Sequence, residues 1–306
     1  MSFLIISPNR DPEVWIKALK QRDPDLEIEV YPEVKHPEKV EFVLSWNHPH
    51  GIFRDYPNLQ VIASMGAGID HIISDPEIPK GAKITRVVDE QLTIDMSVFV
   101  LSLCLEHLRN LSLHHCSKDW DQKPYKRPEE VQVGVMGLGV LGVAVAEKLK
   151  KNNFHVSGWR KKKKDVPGVN TFQGTSQLDN FLKNSHILVC LLPLTSETEN
   201  ILNRELFQKL PKDAYLINVA RGNHLVEEAL LEMVDNGHLS GASLDVFRQE
   251  PLPKEHPFWR HERIRITPHI ASITNPETVV PQLLENFRNM KNDSPLNNLV
   301  SREKEY

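Results

Sequence analysis

Three polar residues stand just past apolar, β-branched runs: Arg221 after Ala214 to Ala220, Glu250 after Gly241 to Phe247, and His269 after Arg263 to Thr267. Together their types suit a proton-coupled reaction on a small acid. An arginine offers two parallel donors matched to a carboxylate and can polarise an adjacent carbonyl. A histidine titrates near neutrality, so it can supply a proton and later recover it. A glutamate hydrogen-bonded to that histidine would hold one tautomer and favour the protonated form. The chain has 14 histidines, so His269 is singled out by its place after a strand. Glu250, before Pro251, also reads as a plain turn residue.

These positions matter because ligands of open parallel sheets bind beyond the carboxyl ends of the strands. Short apolar runs alternate with longer amphipathic stretches along the chain, the pattern of βαβ units. The first half predicts strands at Phe3 to Ile6, Leu26 to Tyr31, Val40 to Ser45, Leu59 to Ser64 and Ile84 to Val88. A helix at Pro12 to Gln21 would use Val14, Ala18 and Leu19 as its apolar face. A long helix from Thr93 to His115 follows, with Met96, Phe99, Val100, Leu103, Leu108 and Leu111 on one stripe. The stretch Asp119 to Glu130 reads as a surface loop. A second series then places strands at Val131 to Met136, Phe154 to Trp159, His186 to Leu192, Ala214 to Ala220, Gly241 to Phe247 and Arg263 to Thr267. A last amphipathic segment spans Pro276 to Met290.

Strand Val131 to Met136 runs into Gly137-Leu138-Gly139-Val140-Leu141-Gly142 and then a helical run. This is the setting in which Gly-x-Gly-x-x-Gly carries a dinucleotide: tight turn, close backbone approach to the pyrophosphate, close helix packing. The helix N-terminus, with Val140 and Leu141 in its first turn, offers amides to the phosphates. A tight turn without a ligand is the competing reading. The next strand ends Trp159-Arg160-Lys161 and continues Lys162-Lys163-Lys164, with no carboxylate before Asp165. An arginine there can bind a 2'-phosphate that a carboxylate would repel, so NADP(H) is favoured, with NAD(H) as the alternative. The lysines read equally well as a solvated loop.

The chain has 306 residues, 37 Lys+Arg against 41 Asp+Glu, a net charge of -4, and only 14 Gly beside 21 Pro. Such a length suggests about two domains, and such a charge argues against nucleic acid as a partner. Three cysteines, Cys104, Cys116 and Cys190, lack a Cys-x-x-Cys pairing, which argues against a disulfide framework or a cysteine-based metal site. The N-terminus lacks the basic region of a signal peptide, and the longest uninterrupted apolar run, Ile187 to Leu192, is too short for a bilayer. A cytoplasmic protein without a membrane segment is expected.

The combined motifs resemble the D-isomer-specific 2-hydroxyacid dehydrogenases, and within them the bacterial A-type glyoxylate/hydroxypyruvate reductases. The resemblance is carried by Gly137 to Gly142, Val219-Ala220-Arg221-Gly222, Leu244 to Pro253, Thr267-Pro268-His269-Ile270-Ala271-Ser272, Ser64 to Asp70, Trp46 and the closing Tyr306. It implies an α/β fold of two Rossmann-like/flavodoxin-like parallel-sheet domains with an interdomain cleft. The substrate domain would comprise 1–97 plus 276–306 and the NAD(P) domain 98–275. It also implies a homodimer and hydride transfer to C2 of a small 2-oxo acid. His269 would be the proton donor, Glu250 its support and Arg221 the carboxylate holder. Asp245, Val219, Ala220, Leu192 and Pro193 would meet the cofactor. Met65, Gly66, Ala67 and Gly68 would bind substrate through the loop backbone. Trp46 would face the substrate and leave room for glyoxylate or hydroxypyruvate, or else pack structurally. Asn223-His224 departs from the small or apolar residues common after Arg221-Gly222. Two other readings compete: an NAD-linked relative with other substrates, and a nucleotide-sensing corepressor-like binding protein.

Overall fold

A computed structural model describes residues 2–8, 10–111, 114, 118, 120, 122–162 and 165–302. The expectations for Cys116, Lys163, Lys164 and Tyr306, and for the end of the long helix at His115, lie outside the described residues. The chain forms two compact units, Met1–Gln91 with Thr274–Tyr306, and Leu92–Ile273.

The first unit is built from β1 (Ser2–Ile6), α1 (Glu13–Arg22), β2 (Ile28–Val30), β3 (Val40–Ser45), β4 (Val61–Ser64), α2 (Asp70–Ile73) and β5 (Lys83–Thr85), with a closing helix Pro276–Lys291. Its strands are all parallel in the order β2-β1-β3-β4-β5, the flavodoxin-like order. Every residue of β1 is buried, as expected of a strand covered on both faces. Phe3 stacks on Phe42 at 4.9 Å, and Phe287 meets both edge-on at 5.8 Å, fastening the closing helix to the sheet. Helix α1 buries Trp15, Ala18 and Leu19, whereas Val14 is exposed. The i, i+3, i+4 face centres on the indole because it has more apolar area to remove from water.

The second unit opens with α3 (Glu90–Leu108, its first two residues lying before the boundary). It continues through β6 (Gln132–Met136), α4 (Val140–Lys151), β7 (His155–Arg160), β8 (Asn170–Gln173), α5 (Leu178–Leu182), β9 (Ile187–Cys190), α6 (Arg204–Gln208), β10 (Ala214–Asn218), α7 (Glu227–Asp235), β11 (Leu239–Leu244) and β12 (Ile264–Ile266). The parallel order β12-β11-β10-β9-β6-β7-β8 is the Rossmann order with one strand added. Alternate residues of the central strands feed two cores. Leu188, Cys190 and Leu216 enter one; Val133, Val135, Val189 and Ile217 enter the other. Strand β8 escapes sequence reading because Asn170-Thr171-Phe172-Gln173 is a polar edge strand with no apolar run.

Helix α3 has the length and composition to cross a bilayer, a property missed by counting uninterrupted apolar runs. Its Met96, Val100, Leu103, Cys104 and Leu108 are buried in the second unit's core, the pattern of a core helix. On the same helix His107 stacks on Tyr215 with centroids 3.8 Å apart. Burial, aided by the charges of Arg265 and Lys126, pushes its imidazole down to about 4. The unfolded chain therefore binds more protons between that value and the ordinary 6.5. Stability is full above the upper limit and is lost as pH falls toward the lower one. Lowering pH from 7 to 5 is expected to cost about 2 kcal/mol through this group. Guanidinium unfolding at the two pH values should show it, and His107→Phe should reduce the difference. An unchanged pH dependence in that variant would refute the assignment.

Candidate active site

The strand order of the second unit reverses between β6 and β9, and the glycine loop leaves β6 at that point. Gly137 has φ +103, and a Cβ there would lie 2.6 Å from the Leu191 carbonyl oxygen, so only glycine fits. A Cβ on Gly142 would collide with the Gly137 carbonyl. Gly139 is different: a Cβ on it would meet nothing within 4 Å. This open face sits at the N-cap of α4, which no side chain caps. The helix N-terminus at Gly139 and exposed Val140 therefore borders open space, a cradle suited to a pyrophosphate.

Beyond the carboxyl ends of three neighbouring strands, β10, β11 and β12, stand Arg221, Glu250 and His269. The Nδ1 of His269 and Oε2 of Glu250 are 2.7 Å apart, each side chain about a third exposed (33% and 36%). The other Glu250 oxygen accepts from the Phe247 amide at 2.9 Å. Burial pushes the Glu250 carboxyl up, but the hydrogen bonds from His269 and Phe247 and the charges of His269 and Arg221 outweigh it. The net result lies below the ordinary carboxylate value. Glu250 thus stays anionic at neutral pH and orients Nδ1–H, leaving Nε2 for a reacting group.

His269 has φ +54, a conformation rare for a histidine. Asp245 holds it there. One Asp245 oxygen accepts from Thr267 Oγ1 at 2.6 Å and the Ile270 amide at 2.9 Å. The other accepts from the Ala271 amide at 2.8 Å, and the Asp245 carbonyl takes the His269 amide at 2.9 Å. Asp245, expected as a cofactor contact, is buried with both oxygens engaged by the histidine loop.

The turn carrying Arg221 is braced as well. Buried Asn218 accepts from the Ala220 amide at 3.2 Å and donates to the Arg221 carbonyl at 3.0 Å. Arg221 Nη1 donates to the Ala220 carbonyl at 2.6 Å. Fully buried His224 sets its ring nitrogens 3.1 Å from the Arg221 carbonyl and 3.3 Å from the Pro193 carbonyl, tying this turn to the loop after β9. A Cβ on Gly222 would strike the backbone of Phe247 and Arg248, so the Arg221 and Glu250 loops can approach only through a glycine. Sequence reasoning missed Asn218 and gave His224 no role; the signal was an asparagine ending an otherwise apolar strand. Val219 and Ala220 are buried beneath Arg221, and Leu192 is buried beside exposed Pro193.

Residues 101–271 match the D-isomer specific 2-hydroxyacid dehydrogenase NAD binding domain. The chain belongs to this family. Among D-isomer specific 2-hydroxyacid dehydrogenases, it is 37% identical over 302 residues to the glyoxylate/hydroxypyruvate reductase A of Photorhabdus laumondii, covering 95% of each chain. The structure of a family member from Xanthobacter autotrophicus Py2, in complex with NADPH and MES, matches with TM-score 0.95 and 36% identity. That match covers 100% of this chain and 99% of that one. The NADPH-dependent glyoxylate/hydroxypyruvate reductase of Sinorhizobium meliloti, in complex with NADP and sulfate, matches with TM-score 0.92 and 34% identity over 100% of both chains. Members of the family are NAD(P)-dependent oxidoreductases.

Two residues expected to meet the cofactor have protein partners of their own. Trp159 is a core residue, 7% exposed, donating its indole N–H to the Gly174 carbonyl at 2.9 Å. Lys161 is held by Glu197, both carboxylate oxygens lying within 2.7 Å of its Nζ. Arg160, half-buried at the end of β7, remains in the expected place.

The first unit holds the other candidates. Met65 is fully buried, so its side chain packs beneath the loop instead of lining it. The Gly66 amide donates to Ser64 Oγ at 3.1 Å, and that hydroxyl donates to the Gly68 carbonyl at 2.7 Å. Among the described residues, the amides of Ala67 and Gly68 have no protein acceptor. Trp46 contacts His71, an unforeseen neighbour, at 4.7 Å between ring centroids, and His71 Nε2 lies 3.2 Å from the Ser45 carbonyl.

Proposed function

We propose that this chain reduces small 2-oxo acids, glyoxylate and hydroxypyruvate among them, to D-2-hydroxy acids with NADPH. The observation that carries the reading is the His269–Glu250 pair at 2.7 Å beside Arg221, at the carboxyl edge of a sheet with the glycine cradle at its switch point. The names of the Photorhabdus and Sinorhizobium relatives support the substrate class, and the NADPH and NADP in the two matched structures support the cofactor. Unit Leu92–Ile273 would hold the cofactor, with pyrophosphate on Gly139 to Gly142 and the 2'-phosphate on Arg160. Unit Met1–Gln91 with Thr274–Tyr306 would bind substrate.

The bound nicotinamide supplies the hydride. Arg221 holds the substrate carboxylate with two parallel donors and polarises the adjacent carbonyl. His269 gives the Nε2 proton to the carbonyl oxygen, and Glu250 stabilises the charged ring before that transfer. Asp245 and Asn218 keep the two loops from relaxing. Cytoplasmic location and a homodimer complete the reading. Ile94, Val98 and Leu105, at least 36% exposed on α3, offer an apolar stripe for self-association. A monomer in sedimentation equilibrium would refute the dimer.

A panel of 2-oxo acids assayed with both cofactors tests the reaction. Turnover of glyoxylate and hydroxypyruvate with NADPH is expected; no oxidation of NADPH by any 2-oxo acid would point to a nucleotide-sensing protein. The Lys161–Glu197 pair bears on cofactor choice, because a carboxylate there opposes a phosphate dianion. Glu197→Gln is expected to raise the kcat/KM ratio of NADPH to NADH about threefold, as suits an exposed pair. The gain should shrink with added salt. An unchanged ratio at low salt would show that Glu197 does not face the phosphate.

A further inference from the structure

The loop that follows β9 lies between the glycine cradle and the turn that carries Arg221. Its entrance packs on the cradle, because a Cβ on Gly137 would lie 2.6 Å from the Leu191 carbonyl oxygen and 3.0 Å from the Leu192 nitrogen. Its exit is tied to the turn by backbone. The Asn200 amide donates to the Asn223 carbonyl at 2.9 Å, the Leu202 amide to the His224 carbonyl at 2.8 Å, and the Val226 amide to the Leu202 carbonyl at 3.0 Å. Between the two ends Thr198 stiffens the loop. Its amide donates to the Thr195 carbonyl at 3.0 Å, and its hydroxyl donates to the Pro193 carbonyl at 2.7 Å.

The entrance meets the turn in another way. The rung from the Val219 amide to the Cys190 carbonyl is long, 3.4 Å, and past it a side chain takes over: Nε2 of fully buried His224 lies 3.3 Å from the Pro193 carbonyl. The Arg221 carbonyl, 3.1 Å from Nδ1, already accepts from Asn218 Nδ2 at 3.0 Å and from the His224 amide at 3.3 Å, so both its lone pairs are engaged. The Pro193 carbonyl takes one bond from Thr198, and the Nε2–H of the ring completes it. An apolar side chain of the same bulk would fill the space but supply no donor to that buried carbonyl.

We propose that His224 is a positioning residue for the reduction, the strut through which the loop packed on the cofactor cradle fixes the Arg221 turn. The proposal rests on the reading of Arg221 as the holder of the substrate carboxylate. A guanidinium that meets a carboxylate with two parallel donors depends on the direction of its turn, because two bonds tolerate less rotation than one. A misplacement of about 1 Å at such a group costs as much as a hundredfold in rate. His224 touches neither the carboxylate nor the carbonyl in this reading; it acts through the backbone on either side of it.

The test measures glyoxylate kinetics at saturating NADPH, and NADPH binding by fluorescence titration, for the wild-type chain, three His224 variants and Thr198→Val. His224→Leu, which keeps the bulk and loses the donor, should raise the glyoxylate KM about tenfold, the scale of one buried hydrogen bond, while the NADPH Kd stays within about threefold. The amide of glutamine reaches the place of Nε2 and that of asparagine the place of Nδ1. His224→Gln should therefore recover most of the loss and His224→Asn little of it. Thr198→Val removes the other donor to the Pro193 carbonyl from within the loop, and it should raise the glyoxylate KM about threefold. An unchanged KM in His224→Leu overturns the proposal, as do equal losses in all three His224 variants, which would mark the ring as packing alone. Should circular dichroism show His224→Leu unfolded, the order of glutamine above asparagine and the Thr198→Val response decide, and their absence overturns it. A wild-type chain inert toward glyoxylate, or Arg221→Lys with an unchanged glyoxylate KM, overturns the reading of Arg221 instead.

Discussion

His269→Gln is expected to lower kcat about a thousandfold, the scale on which a positioned general acid contributes. Glutamine approximates the length of the ring and keeps a donor, but it cannot release a proton near neutral pH. The defect should lie in kcat, because the substrate carboxylate is assigned to Arg221. NADPH binding, followed by fluorescence titration, should survive, since the glycine cradle lies after β6 and the histidine after β12. The outcome also depends on the left-handed backbone at position 269, which glutamine must adopt while Asp245 holds the loop from three donors. Circular dichroism separates a folded, inactive variant from a disrupted one. A folded variant whose kcat stays within tenfold of wild type would remove His269 as the proton donor.

Arg221→Lys should lower kcat/KM about a hundredfold with the charge retained. The guanidinium is aimed by its bond to the Ala220 carbonyl at 2.6 Å, and its turn is braced by Asn218 and His224. A lysine ammonium is a single point of charge on a flexible stem, so it cannot present two parallel donors. Losing one charge-assisted bond and part of the carbonyl polarisation amounts to about 3 kcal/mol, or two powers of ten. Steady-state kinetics at saturating NADPH would measure it, with both KM and kcat affected. A loss below threefold would mean that Arg221 acts only as a long-range charge.

Much of this architecture was legible because burial on both faces of a parallel sheet writes itself as apolar runs. The glycine loop was legible because three steric demands fall within six residues. Strand ends were harder. The runs at His186 to Leu192, Ala214 to Ala220 and Gly241 to Phe247 overshoot strands that end at Cys190, Asn218 and Leu244. Leu192, Val219 and Val246 stay buried after the hydrogen-bond ladder has stopped, so hydropathy does not mark where the loop begins. Those overshoots are the segments that aim Arg221 and Glu250. Roles were harder still. Asp245 and Trp159 stand at or just past strand ends, yet their side chains turn into hydrogen bonds and packing that only the folded chain defines. The Lys161–Glu197 and Arg10–Trp46 contacts join residues 36 positions apart in each case, a separation at which a single sequence carries no pairing signal.

The left-handed backbone positions divide the chain into places that tolerate mutation and places that do not. Apart from His269, every non-glycine residue with positive φ among the described residues is asparagine or aspartate, as at Asn47, Asn153, Asn200 and Asp213. Short polar side chains enter that region at small strain, and they restrict the unfolded chain more than glycine would. Among the left-handed positions, glycine is required where a side chain would also collide with backbone, as at Gly137 and Gly241. Drift between asparagine and glycine should therefore be nearly neutral in open turns and forbidden where a side chain would strike backbone. A library of substitutions at these positions would separate scaffold from site without any assay of the reaction.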